Sequence, residues 1–177
     1  GLAALTAVLL LPVWGIDALI LIVVLGGLAE FGRMFLADRV ERLAMIVLGM
    51  LVAAAMLRAP QPSETVVLLL SLGLFAISLI FMRRARALPG IAERLGLAIL
   101  GVAYLGVTFP FWGWIARFDF GRELVLMALL PACLCDSFAL MAGKAFGRRK
   151  FAPMVSPNKT MEGFAGALAG SVFGTLL

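Results

Sequence analysis

The chain has 177 residues, of which 63% are hydrophobic and 14% charged, with a formal net charge of +5; a soluble domain carries roughly 45–50% apolar and about 25% charged residues. That composition excludes a water-soluble globule, and the lack of any histidine excludes imidazole as a base, a nucleophile or a metal ligand. The two cysteines, Cys133 and Cys135, form no disulfide framework and match no zinc spacing.

Stretches without a single Asp, Glu, Lys or Arg run over 44–57, 65–82, 95–116 and 124–135. Their lengths approach the roughly 20 residues that cross a bilayer as a helix, the form in which a segment satisfies its own backbone polar groups. In chain order, helices are predicted at about 2–14, 18–36, 43–57, 65–82, 95–115, 124–143 and 163–177. The first two are separated by Pro12, Gly15 and Asp17, read as a tight turn rather than a charge held inside one long helix. Further turn formers stand at Pro60 and Pro62, then at Pro89 and Gly90. Gly26–Gly27, Gly49 and the spacing Gly166-x-x-x-Gly170 put small residues where helices can approach closely. The fold class is all-α, a polytopic transmembrane bundle of about seven helices forming a single integral-membrane domain over 1–177. Gly1 at the start, and an apolar run still open at Leu177, lead us to expect a fragment truncated before a C-terminal segment.

Basic residues test this layout, because cytoplasmic loops of membrane proteins collect Lys and Arg. Segment 33–42 holds Arg33, Arg39 and Arg42, segment 83–94 holds Arg83, Arg84, Arg86 and Arg94, and segment 144–162 holds Lys144, Arg148, Arg149, Lys150 and Lys159. The alternate segments hold only Arg58, Arg117 and Arg122. The positive charge is thereby explained by topology, with no need of nucleic acid, and the three basic segments are assigned to the cytoplasm.

Residues 131–163 carry the chemistry. Pro131 interrupts an apolar helix, where its missing N–H and its ring bend the helix or free a carbonyl. Asp136 follows within the same helix; a carboxylate there faces a polar cavity, a cation or an ion, or else reaches water near the helix end. After Gly143 the chain turns basic, with Lys144, Arg148, Arg149 and Lys150, and then runs Ser156-Pro-Asn-Lys-Thr-Met-Glu-Gly163. The hydroxyl and amide groups of Ser156, Asn158 and Thr160 and the charge of Lys159 stand at the start of the next helix, where free N–H groups and the dipole favour a phosphate. Ser156 and Pro157 read as N-cap and first helical residue, with Thr160 as a competing cap. Glu162 falls in the first turn, suited to the dipole or to sharing a divalent ion with a phosphate. Asp136 precedes the basic turn by about 8 residues, or roughly 12 Å along a helix, so one cytoplasm-facing hollow could contain all of these groups.

The run Asp136-Ser-Phe-Ala-Leu-Met-Ala-Gly143, the Phe146-Gly147 pair, the Ala152-Pro153 step and above all Ser156-Pro-Asn-Lys-Thr-Met-Glu-Gly163 closely resemble the phosphatidate cytidylyltransferase (CDP-diacylglycerol synthase) family. Leu140 stands where that family tends to have Tyr, and Met161 where it tends to have Trp. The family's downstream signature, with its His-Gly-Gly turn and metal-binding aspartates, does not occur in these 177 residues.

The resemblance implies cytidylyl transfer from CTP to phosphatidate, giving CDP-diacylglycerol and pyrophosphate, with Mg²⁺ as cofactor. It further implies phosphate contacts from Lys159, Ser156, Asn158 and Thr160, and headgroup attraction by Arg148, Arg149 and Lys150. Asp136 and Glu162 take catalytic, metal or polar-network roles, the main metal ligands being expected beyond Leu177, so that the 177 residues alone are expected to be inactive. The implied partners are CTP, phosphatidate and membrane lipid, with a homodimer admitted; the implied location is the bacterial inner membrane with its active face cytoplasmic. The rivals are a CTP-dependent polyprenol or phytol kinase and a non-enzymatic transporter or membrane subunit. The charge alternation carries its own test: cysteines replacing Arg86 and Lys150 are expected to react with an impermeant thiol reagent from the cytoplasmic side alone, and labelling of either from outside would invert the assignment.

Overall fold

The computed structural model describes residues 11–58, 64–84, 90–152 and 156–176. Its helices are α1 (Val13–Phe35), α2 (Arg39–Arg58), α3 (Glu64–Arg84), α4 (Ile91–Gly101), α5 (Pro110–Ile115), α6 (Gly121–Phe146) and α7 (Met161–Leu176), with a π-helical stretch Val102–Val107 joining α4 to α5. Five spans, Val13–Phe35, Arg39–Arg58, Val66–Arg83, Ile91–Ile115 and Gly121–Phe146, are long and apolar enough to cross a membrane. The chain is an integral membrane protein, and the predicted helical bundle stands. Six of the predicted crossings coincide with described helices; the one at 2–14 lies almost wholly outside the described residues. The residues pack as two compact units, Pro12–Arg117 and one built on Phe118–Leu177.

In the first unit α2 is the central helix. Met45, Val52, Ala53 and Met56 on it are fully buried or nearly so, as are Val24 and Leu28 of α1, Ile77 and Phe81 of α3, and Ala98 and Val102 of the α4–α5 span that pack around it. The π-helical stretch approaches α2 so closely that a Cβ on Gly106 would lie 2.9 Å from the carbonyl oxygen of Gly49; only glycine admits that approach.

Both ends of α2 are closed by polar side chains. Asp38 caps α2, its Oδ1 accepting the N–H groups of Val40 at 2.7 Å and Glu41 at 3.2 Å. Glu41, buried, meets Arg94 Nε at 3.2 Å and ties the start of α2 to the start of α4. At the other end of α2, Trp114 Nε1 donates to the carbonyl of Met56 at 2.7 Å, and Arg117 Nη2 donates to that of Leu57 at 3.1 Å. The same guanidinium pairs with Asp17 at 2.5 Å.

This pairing corrects the expectation of a turn around Asp17. Pro12 is the N-cap of α1, with φ −64° and ψ 164°, and Gly15 and Asp17 lie inside the helix. The carboxylate is tolerated there because Arg117, distant in sequence, neutralises it.

In the second unit α6 and α7 form an antiparallel hairpin along a glycine stripe. A Cβ on Gly166 would lie 2.5 Å from Ala142 Cβ, one on Gly170 2.5 Å from the Leu134 carbonyl oxygen, and one on Gly174 2.7 Å from Pro131 Cα. Phe138 and Phe173 stack across the pair with ring centroids 6.2 Å apart. With Gly at these three positions the two backbones touch and gain dispersion along the stripe. Gly170→Leu is therefore expected to cost about 1–3 kcal/mol or more through overpacking, read as a fall in the thermal midpoint of the detergent-solubilised protein. Gly26→Ala, where nothing lies within 4 Å of the added Cβ, is expected to leave the midpoint unchanged or raise it.

Candidate functional site

The segment between α6 and α7 is ordered by a short antiparallel hairpin, β1 (Lys150–Ala152) and β2 (Ser156–Thr160), pairing Lys150 with Thr160 and Ala152 with Ser156. Ser156 and Pro157 thus belong to a strand, which corrects their reading as N-cap and first helical residue. Thr160 is the cap: its Oγ1 accepts the N–H of Gly163 at 3.1 Å. The reason is local. Once Pro157 is held extended in β2, the helix can begin only where the hairpin ends, and Thr160 is the first residue with an oxygen there.

The end of α6 closes at Gly147, whose N–H bonds the Gly143 carbonyl at 3.1 Å. The backbone amides of the next two residues then turn toward α7. Arg148 N donates to Glu162 Oε2 at 3.1 Å, and Arg149 N reaches Oε1 at 3.4 Å and Oε2 at 3.3 Å. In return, Met161 N donates to the Arg149 carbonyl at 2.9 Å. Phe151 of β1 stacks on Phe164 of α7, with ring centroids 5.1 Å apart and planes 18° from parallel. Its own backbone N–H first, and then those of Arg148 and Arg149, hold the Glu162 carboxyl below the ordinary glutamate pKa.

The predicted residues are distributed unevenly around this turn. Arg148, Arg149, Lys150 and Lys159 are all exposed, and strand alternation sends Lys159 to the opposite face of β2 from Thr160. Ser156 is half-buried in β2, and Asn158 lies on the same strand. Thr160 and Glu162 are engaged with backbone N–H groups at the head of α7 and behind the turn.

Asp136 stands apart. Gly143 meets Gly163 at the head of the hairpin, the Gly143 Cβ position lying 3.6 Å from Gly163 Cα, and Asp136 is seven residues, or about 10 Å, further along α6. Phe138, two residues after it, faces Gly170, and two residues turn a helix by about 200°, so Asp136 points away from α7 and is exposed. The structure does not bring Asp136 and Glu162 together. Among the described residues no three His, Cys, Asp or Glu side chains converge, and both Glu162 oxygens already accept N–H groups. The described residues therefore do not by themselves fit a Mg²⁺ site.

The sequence profile of the cytidylyltransferase family matches residues 1–177. The chain belongs to this family. Among its relatives are phosphatidate cytidylyltransferases of Bacillus subtilis (strain 168), 36% identical over 77 residues that make up 43% of this chain and 29% of the relative, and of Staphylococcus haemolyticus (strain JCSC1435), 39% identical over 74 residues, 42% of this chain and 28% of the relative. A third, from Staphylococcus aureus (strain COL), is 41% identical over 70 residues, 40% of this chain and 26% of the relative. The matched stretch thus spans less than a third of these relatives' own length. Met161 and Leu140, the departures from the motif, are both exposed, so neither substitution disturbs the interior of the unit.

Sequence reasoning did not find the carboxylate clasp between Glu162 and the Arg148–Arg149 amides, because residues 13 and 14 apart meet only after the hairpin has formed. The Phe-Gly step before the two arginines was the available signal, since glycine after a helix marks where the chain changes direction. Thr160→Ala is expected to destabilise the start of α7 by about 1 kcal/mol, and Thr160→Ser to restore it. Amide exchange at Gly163 is the measurement; equal protection in all three proteins would remove Thr160 from the cap.

Proposed function

We propose that this chain belongs to an enzyme that transfers a cytidylyl group from CTP to phosphatidate, at the cytoplasmic face of the bacterial inner membrane. In that reaction a phosphatidate phosphate oxygen attacks the α-phosphorus of CTP, the bond from the α-phosphorus to the bridging oxygen breaks, and pyrophosphate leaves as CDP-diacylglycerol forms. The observation that carries this reading is the exposed cationic turn and hairpin, Arg148, Arg149, Lys150 and Lys159, at the end of a membrane-spanning helix. A soluble nucleotide and a lipid phosphate can both be met there. The relatives' names point to the same chemistry.

The nucleophile is already an anion, so the demand on the protein is charge compensation and alignment. Lys159 supplies a point charge toward a phosphate, Ser156 and Asn158 offer polar groups on the same strand, and the arginines with Lys150 attract the anionic headgroup. Thr160 contributes by fixing where the strand ends and the helix begins. Magnesium is a proposal from the family resemblance, and no step is assigned to it on these residues.

The test follows label from CTP into extractable lipid with the full-length enzyme in vesicles containing phosphatidate and with Mg²⁺ in the buffer. Label from the α-phosphate is expected in the lipid; label from the γ-phosphate would indicate a kinase, and neither a transporter or a structural subunit. In the same assay Lys159→Ala is expected to lower turnover about a hundredfold or more, and Lys159→Arg to rescue poorly, since a planar guanidinium does not replace a compact ammonium. Near-normal turnover of Lys159→Ala would reduce the hairpin to a connection between helices.

A further inference from the structure

Glu162 is the only acidic residue of the turn and hairpin that precede α7's apolar run, and it stands among four cations. A carboxylate in that setting would ordinarily pair with a guanidinium. Instead its oxygens accept the amides of Arg148 and Arg149. Among the described residues the ion pairs are Arg94–Glu41 and Arg117–Asp17, and neither draws on the hairpin cations. The side chains of Arg148, Arg149, Lys150 and Lys159 are left exposed.

The turn itself is held from both sides. Its amides are bound by Glu162, its Arg149 carbonyl by the N–H of Met161 at 2.9 Å, and the strand that follows it by the Phe151–Phe164 stack. A carboxylate whose oxygens face backbone amides is a poor general base and a poor metal ligand. What it can do is fix the backbone from which the cations project.

We infer that Glu162 is a positioning residue: by clasping the Arg148 and Arg149 amides to the first turn of α7, it sets where the hairpin cations meet the phosphates of the substrates. This deepens the cytidylyl-transfer reading and rests on it for the identity of those phosphates. A role as metal ligand, the other assignment open to this carboxylate, makes opposite demands on the same variants.

The experiment compares the full-length enzyme with Glu162→Gln and Glu162→Ala in phosphatidate-containing vesicles. Four quantities are read: amide exchange at Arg148 and Arg149, KM for CTP, kcat, and the Mg²⁺ concentration giving half the maximal rate. Removing a charged acceptor from two amides is expected to speed their exchange about tenfold or more in Glu162→Ala and to raise the KM by a similar factor, with a smaller change in kcat. Glu162→Gln, which keeps one carbonyl oxygen for an N–H, is expected to recover most of both, with the Mg²⁺ requirement the same in all three proteins.

Three results would overturn the inference: unchanged exchange at both amides in Glu162→Ala, an unchanged KM for CTP in that variant, or a roughly tenfold rise in the Mg²⁺ requirement shared by both variants, as loss of a metal ligand would give. If the unaltered enzyme makes no CDP-diacylglycerol, the reading of function falls by itself. Amide protection and the equilibrium affinity for CTP then decide the clasp: both lowered in Glu162→Ala and recovered in Glu162→Gln support it, and either one unchanged removes it.

Discussion

A helix in hydrocarbon satisfies its own backbone everywhere except in its first and last turns, and in this protein side chains close those turns at both ends of α2 and at the start of α7. The last carbonyls of α2 receive Trp114 and Arg117, more than fifty residues away in sequence. The first amides of α2 receive Asp38, and those of α7 receive Thr160. Without these groups the exposed ends would lie at or near the membrane boundary with few partners, each at a cost of about 1–3 kcal/mol. The packing between helices is consistent with the same economy of polar groups: along the spans it is made by apolar side chains and by glycines that bring backbones into contact.

The constraint also divides the polar residues of the candidate site into two sets. Thr160 and Glu162 are engaged in closing the start of α7 and the turn after α6. Arg148, Arg149, Lys150 and Lys159 remain exposed beside them. A single negative charge directed at backbone amides orders the turn and leaves its cationic side chains exposed. That arrangement suits a site for multiply charged phosphates better than a network of internal salt bridges would, since internal pairs would have to break before the ligand could bind.

Asp17 and Ser156 show where local reading and tertiary structure part. Asp17 near a proline and a glycine has the marks of a turn, yet it lies inside α1 because Arg117 neutralises it from a separate helix. Ser156-Pro157 has the marks of a helix start, yet the two residues are drawn into β2 by pairing with β1. In the first case a partner a hundred residues away, in the second the neighbouring strand of a short hairpin, outweighs a local preference of about 1 kcal/mol. The carboxylates of Asp136 and Glu162 illustrate the same limit in the site. Their spacing allows a shared hollow, but α7 packs on the glycine-facing side of α6 and leaves Asp136 on the other.

The sequence by itself determined the membrane-spanning helices, their approximate bounds, the segments that collect positive charge, and the family motif with its cations. Each of these follows from composition and short-range periodicity, which hydrocarbon enforces segment by segment because a spanning backbone can satisfy itself in few ways. Only the tertiary structure decided which polar groups meet: Asp17 with Arg117, Glu41 with Arg94, Glu162 with two backbone amides, and Asp136 with none of the hairpin groups. Such pairings depend on how helices pack and on the register at which they touch, and a shift of one or two residues along a helix turns a side chain to another face.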